Sequence, residues 1–571
     1  MKKTVLLCVL LCAVLFTSSQ LKLDLKGNTT PTWQETIDAF GSLDSASAEA
    51  QLIEVGKTDV GKPLHLFVVN RSGLFYPELF EANKTVVFIN NAIHPGEPDG
   101  VNASLLLAEE LLQPKSALNG VLDSIIVCIV PIYNVDGALM RNSYTRANQD
   151  GPYEYGFRGN ARNLDLNRDF IKCDSKNALS FNRLFTAMDP DVFIDTHVSN
   201  GADYPYVMTL ISTQADKLGP LGAYLRNTME PALFAAMEKN GEPMCHYVNT
   251  MGRTPESGIV SFLETPRFAS GYAALFNTLS FITETHMLKP FPKRVEATRL
   301  FLRELLLFAA AHNTEIITER KKADQQLLQQ REFALRFELD TLQRDTLSFQ
   351  AYRAHYEESK IGTGQRLKYE RDSTYLARIA FYDHYRDTLK IKAPGSYIVP
   401  QAWGEVIDRL KANGVLMYPL SRDTVLEVET YFIDAFETER RPYEGHYVHH
   451  QVKVRSEQHR LLFFKGDYLI PTQQRARRYI IETLEPQGED SFFAWGFFES
   501  ILQRKEYFSD YVFEEKAEEI LNENPQLKAE FEATLAIDPA LRANHWDQLY
   551  WIYSRSIYAE KSVNRYPIFR Q

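Results

Sequence analysis

The chain has 571 residues, 44% of them hydrophobic and 24% charged, with a formal charge of −11. That length holds two or three separate cores, and the ordinary apolar content excludes wholesale disorder. The acidic balance offers no footprint for a phosphate backbone, so nucleic acid is set aside as a partner.

The opening stretch "MKKTVLLCVLLCAVLFTSS" starts with Lys2 and Lys3, continues in an apolar run over residues 5–16 and closes on small residues. It reads as a signal peptide over residues 1–19, implying a periplasmic or secreted protein. The run is short for a bilayer, so no transmembrane anchor is expected in the mature chain. Removing it takes two lysines and no acid, moving the charge from −11 to −13. Neither Cys8 nor Cys12 ends the run behind small residues, so a lipid-modified cysteine is not indicated. Cys128, Cys173 and Cys245 remain, an odd number without close spacing, which argues against a disulfide framework.

From residue 33 to 310, short β-branched runs alternate with helical patterns. "KTVVFIN", "SIIVCIVPIYN", "DVFIDTH", "YVMTLIS" and "LSFITETH" are the strands, with segments such as "VNASLLLAEELLQ" between them. The expected fold is α/β: a mixed, largely parallel sheet covered by helices on both faces. Ligands of such sheets bind beyond the carboxyl ends of the strands. Four runs deliver polar side chains there: the first leads to His94 and Glu97, the others end at Asn134, His197 and Glu284.

This catalytic domain is placed at residues 20–315. "TERKKADQQLLQQREFALRFELDTLQRD" is charged and glutamine-rich, and predicts a helical connector over 316–347. Segments such as "IKAPGSYIVP", "VLEVETYFI" and "YVHHQVKV" predict a β-rich accessory domain over 348–475, and the aromatic-rich tail predicts a helical region over 476–571.

Catalytic zinc takes three protein ligands and keeps one position open. His94 and Glu97, three residues apart on one turn, reach one ion, and His197 from a distant strand completes the set. Alone, His-x-x-Glu is equally a loop histidine beside a helix-start acid; the combination with "DVFIDTH" turns the reading towards metal. In "ARNLDLNRDF", Asn167 and Arg168 offer an amide and a planar guanidinium suited to a carboxylate. Asp165 can accept a hydrogen bond from a ligating imidazole and fix its tautomer. Standing alone, this stretch is also a solvated turn with a local ion pair.

The order His-x-x-Glu, an arginine, Asp-x-Asn-Arg, a strand-end histidine and a strand-end glutamate is similar to the zinc metallocarboxypeptidases typified by pancreatic carboxypeptidase A. "EVGKTDVGKPLHLFVV" resembles the family's opening hairpin, with Thr58 where serine is common, and "PIYNVDG" resembles the segment that follows the family's second ligand. The resemblance covers residues 33–310. It implies a zinc-dependent carboxypeptidase holding one Zn2+ per chain at His94, Glu97 and His197, with Asp165 behind the first ligand. It implies that Asn167 and Arg168 hold a peptide's free C-terminal carboxylate, and that Arg146, with Arg141 as its rival, polarises the scissile carbonyl. Glu284 corresponds to the glutamate that activates water and passes the proton to the leaving amine.

The family's mobile tyrosine has no equivalent at the usual distance. Tyr272 is the assignment made here, in preference to Tyr247 farther upstream, against the reading of Tyr272 as a packing residue. Arg267 and Glu256 fall in the right part of the chain to line the specificity pocket, although a surface ion pair accounts for them as well. His446, His449 and His450 do not make a second metal site, since neighbours on a strand point apart. His286 reads as a supporting or core histidine. Peptidoglycan stem-peptide hydrolysis and N-acyl amino acid deacylation are the alternatives on the same fold; a non-catalytic peptide- or glycan-binding protein is the alternative of another class.

Overall fold

The computed structural model describes residues 23–571. The expected signal peptide lies outside them. Nine strands occupy the first half: β1 (Ala50–Lys57), β2 (Pro63–Val69), β3 (Thr85–Asn90), β4 (Ile125–Val130), β5 (Val192–Ser199), β6 (Met208–Ser212), β7 (Cys245–His246), β8 (Ile259–Val260) and β9 (Leu279–His286). All but β8 form one sheet in the order β1-β2-β4-β3-β5-β9-β6-β7. Its centre, β4-β3-β5-β9, is parallel, while β1, β2 and β6 join antiparallel. The sheet is therefore mixed, with the expected parallel strands at its heart.

The continuous apolar runs of the central strands follow from burial on both faces. Side chains alternate across a strand: Val86 and Phe88 join one core with Phe181 and Phe185 of helix Lys176–Met188, and Val87 and Ile89 join the other with helices Asp99–Leu111 and Phe291–Ala311. Cys128, Cys173 and Cys245 are buried and unpaired.

Beyond residue 312 the chain departs from expectation first in the connector. The helix Asn313–Gln329 stops short, and the rest of the expected helical connector is β10 (Glu332–Leu339) and the start of β11 (Asp345–Glu358). In "EFALRFEL", Phe333 and Leu335 are buried two residues apart, a strand period. β11 pairs with β12 (Gln365–Tyr382), which takes β8 as a parallel neighbour; β10 pairs with β13 (Tyr385–Lys392).

β14 (Ser396–Val399), β15 (Tyr418–Pro419), β16 (Thr424–Thr438), β17 (His449–Phe463), β18 (Tyr468–Pro471) and β19 (Arg565–Arg570) form a six-stranded sheet. β19, from the end of the expected helical region, lies between β14 and β16, so that region and the β-rich one share a sheet. Ile480 and Trp495 belong to the same apolar core as Phe88 and Phe181. Among the described residues, no helix is long and apolar enough to cross a membrane.

Candidate metal centre

His94 and Glu97 stand in the turn between β3 and helix Asp99–Leu111. That turn is fixed from several sides. The Asp99 carboxylate accepts from Arg294 Nε at 3.0 Å and from the Thr285 hydroxyl. A Cβ on Gly100 would lie 2.0 Å from Thr196 Oγ1, so glycine lets the helix start press against β5. Asn134, at the end of the β4 run, supports the turn from below: its Nδ2 donates to the Ile93 carbonyl at 3.3 Å and the Arg158 carbonyl at 2.9 Å. It joins loops and does not line the cavity.

His197 is on β5, directly opposite Glu284 on β9. His94, Glu97 and His197 each offer a donor atom within 4.8 Å of the others, and all three are buried. The Nδ1 atoms of His94 and His197 lie 3.2 and 3.1 Å from the same oxygen, Glu97 Oε2. Their Nε2 atoms lie 2.9 Å from Asp165 Oδ1 and 3.0 Å from Asp195 Oδ2.

This arrangement constrains the tautomers. Each ring nitrogen faces a carboxylate oxygen, which only accepts; a cation on the Glu97 side would leave the hydrogens on Nε2, held by Asp165 and Asp195, and turn the Nδ1 lone pairs towards it. Three electron-rich atoms facing one point repel unless positive charge lies among them. Burial disfavours an imidazolium at His197, yet Asp195 and Glu97 outweigh it and raise that histidine well above its ordinary range. A proton is thus one source of the charge; a divalent cation serves all three donors at once. Burial opposes ionisation of Glu97, but His94, Arg146 and His197 hold it well below the usual carboxylate range. Two imidazoles and a carboxylate, each imidazole anchored from behind, fit the donor set of a catalytic zinc site.

The centre opens into a cavity of about 440 Å³ whose lining includes Arg146, Arg158, Asn167, Arg168, Tyr247 and Glu284. Asp165 opens the short turn Leu166–Arg168, its Oδ1 accepting from the Asn167 N–H at 2.9 Å. The same carboxylate therefore orients His94 and aims the Asn-Arg pair. Burial works against ionised Asp165, but the charges of His94, Arg158 and Arg168 push it well below its ordinary range. Asn167 Oδ1 accepts from the Ala269 N–H at 3.2 Å. Arg168 stacks over the Phe268 ring at 4.2 Å and donates from Nε to the Tyr443 hydroxyl at 3.0 Å.

Arg146 donates to Glu97 Oε1 at 2.8 Å. Arg141 turns away, donating to the main-chain carbonyls of Thr30 and Pro31 at 3.0 and 3.2 Å, and it is Arg146 that lines the cavity. Glu284 faces the cavity. Burial pushes its carboxyl up to about 8, with Glu97 and Glu264 adding to the rise and His197 opposing it.

Tyr272 is a correction. It is 0% exposed, stacked on Phe170 at 5.3 Å, and its hydroxyl donates to Asn413 Oδ1 at 2.7 Å. It is a packing residue outside the cavity, and Tyr247, passed over because of its position in the chain, is the tyrosine on the wall. Arg267 and Glu256 also lie outside this cavity, paired with Asp490 at 2.6 Å and with the Tyr375 hydroxyl. His286 is a core histidine, its Nε2 2.8 Å from the Ala202 carbonyl. His446, His449 and His450 face different acids: Asp174, Glu499 and Glu437.

Four residues escaped the sequence reading. Asp195 precedes His197 by two, a same-face spacing on a strand that was there to be used. Arg158, bound to Asp165 at 2.9 Å and 3.5 Å from Glu97, carried no local signal. Tyr443 and Glu444 come from the turn between β16 and β17. Glu444 Oε2 accepts the Asp165 N–H at 2.7 Å.

Residues 42–191 match the model of the zinc carboxypeptidase family. That segment is similar to a zinc carboxypeptidase domain, a family whose class of chemistry is metal-dependent peptide hydrolysis. The matched segment contains His94, Glu97, Asp165, Asn167 and Arg168 and stops before His197 and Glu284, which β5 and β9 bring alongside. The chain is similar to carboxypeptidase 2 of Trichophyton equinum, 20% identical over 494 residues, covering 82% of this chain and 85% of that protein. Carboxypeptidase 2 of Trichophyton rubrum is 21% identical with the same coverage. A metallo-carboxypeptidase from Pseudomonas aeruginosa aligns with 50% of this chain and 69% of its own at TM-score 0.38 and 16% identity. Carboxypeptidase A from Helicoverpa armigera aligns with 53% and 76% at TM-score 0.37 and 13% identity.

Proposed function

We propose that the protein is an exported zinc carboxypeptidase that removes residues from the free carboxyl ends of peptides. The observation that carries this reading is the convergence of three buried donor atoms on the wall of a cavity that also presents Asn167, Arg168 and Glu284.

His94, Glu97 and His197 would hold the zinc, which in a site with an open position polarises a carbonyl and lowers the pKa of water to about 7. The chain's own residues do the rest. Asn167 and Arg168 bind the terminal carboxylate and set the register of the substrate, so an internal bond has nothing to anchor it. Arg146, with Arg158 beside it, supplies positive charge where the scissile carbonyl gains negative charge. Glu284, as the ionised carboxylate, takes a proton from the attacking water and returns it to the leaving amine, a role worth about 10²- to 10⁴-fold. Tyr247 closes the wall on one side.

The test is digestion of paired peptides, each with a free or an amidated C-terminus, by the zinc-loaded protein and by Glu284→Gln, read by mass spectrometry. Stepwise loss of C-terminal residues from the free peptides by the parent is expected, with the variant slowed at least about a hundredfold. Internal cleavage, or equal attack on amidated peptides, would refute the exopeptidase reading.

A further inference from the structure

Glu264 lines the same cavity and has no part in the chemistry above. The residue is 5% exposed. Its Oε2 accepts the Ser270 N–H at 2.8 Å. Other buried acids nearby have a cation: Glu97 has Arg146 at 2.8 Å, Asp165 has Arg158 at 2.9 Å and Asp99 has Arg294 at 3.0 Å. Among the described residues, no lysine, arginine or histidine forms an ion pair with Glu264. Lys217 reaches the same segment but gives its ammonium to the Glu264 main-chain carbonyl at 2.9 Å. Arg168, which shares the cavity, is engaged with the Asn167 carbonyl and the Tyr443 hydroxyl.

A buried carboxylate without a counter-charge is costly, and its ionised form is recovered when a ligand brings the cation. Consistent with this, burial holds the Glu264 carboxyl above its ordinary range. The lining of the cavity also includes Ile211, Tyr247, Phe262 and Phe268. Apolar and aromatic surface of this kind suits the methylene stem of a long basic side chain and the face of its cation. The alternatives named for the pocket, Arg267 and Glu256, are taken up elsewhere, which leaves Glu264 as the acid of this lining that is given no part in metal binding or in the chemistry.

We propose that Glu264 is the specificity residue of this site and that the residue released carries a cationic side chain, lysine or arginine, with its carboxylate on Asn167 and Arg168 and its cation on Glu264. This rests on the carboxypeptidase reading and adds the substrate class to it. It makes two opposite charges on one amino acid, fixed by two groups of opposite sign in one cavity, the basis of selection.

The experiment measures kcat/KM of the zinc-loaded full-length protein and of Glu264→Gln on peptides that differ only in a C-terminal lysine, arginine, norleucine or glutamate. The expected result is a preference for lysine and arginine over norleucine of roughly ten- to a hundredfold, the worth of a charge-assisted hydrogen bond. In Glu264→Gln that ratio collapses towards one. A preference for norleucine or glutamate in the parent, or an unchanged ratio in the variant, overturns the proposal. Calorimetric binding of free lysine against norleucine reads the pocket without turnover. Equal affinities overturn the proposal even where no peptide is cut. Lysine-selective binding that Glu264→Gln abolishes, with no cleavage of any peptide, upholds the pocket and overturns the exopeptidase reading alone.

Discussion

Each imidazole of the centre has a carboxylate behind it: Asp165 at 2.9 Å from His94 Nε2 and Asp195 at 3.0 Å from His197 Nε2. These contacts decide which nitrogen faces the metal, and their loss lets the ring turn or change tautomer. Asp195→Asn is therefore expected to weaken zinc binding about ten- to a hundredfold while the protein stays folded, as read by competition with a chelator; unchanged affinity would show that β5 alone positions His197. The cluster of His94, Glu97 and His197 was legible because residue type and strand-end placement coincided, and Asp165 because of its place in Asp-x-Asn-Arg. Tyr272 was not. Its distance along the chain from Glu284 says nothing about which face of helix Ala269–Ala274 it occupies, and the hydroxyl found a buried partner in Asn413.

At the scale of elements, the turn between β16 and β17 reaches Asp165 and Arg168 from outside the matched family segment. The Tyr443 hydroxyl accepts from Arg168 Nε, Glu444 Oε2 holds the Asp165 N–H, and His446 Nε2 meets Asp174 Oδ2 at 2.7 Å. Arg168 is thereby held through Nε as well as through its Nη1 bond to the Asn167 carbonyl. Tyr443→Phe removes that restraint without disturbing the bulk of the ring. It should raise KM for free-carboxylate peptides about five- to tenfold with kcat held, since it weakens binding of substrate and transition state alike. A fall in kcat at constant KM would place Tyr443 in the chemistry instead. Nothing local in "RRPYEGHYVHH" announces this contact, because 275 residues separate Tyr443 from Arg168. The misread connector has a different cause: glutamine-rich helical composition continued into "EFALRFEL", where only the two-residue spacing of Phe333 and Leu335 marked the strand.

On the scale of the whole molecule, the sheet of the first half was readable because its central strands are apolar on both faces and end in chemistry. The second half was not, since its elements make sense only in assembly. β8 of the first half pairs with β12 of the second, β19 returns from the far end of the chain to lie between β14 and β16, and Trp495 packs in the core that also holds Phe88. The cavity is lined by residues of the first half, and the second half reaches it through Tyr443, whose hydroxyl accepts from Arg168. The account depends above all on one cation among His94, Glu97 and His197. Its most direct test is the zinc content of the purified, zinc-equilibrated protein beside His197→Ala, measured by elemental analysis with the fold checked by circular dichroism. One zinc per chain in the parent and essentially none in the folded variant is the expected result; a parent that binds no metal, or a variant that binds as much as the parent, would contradict it.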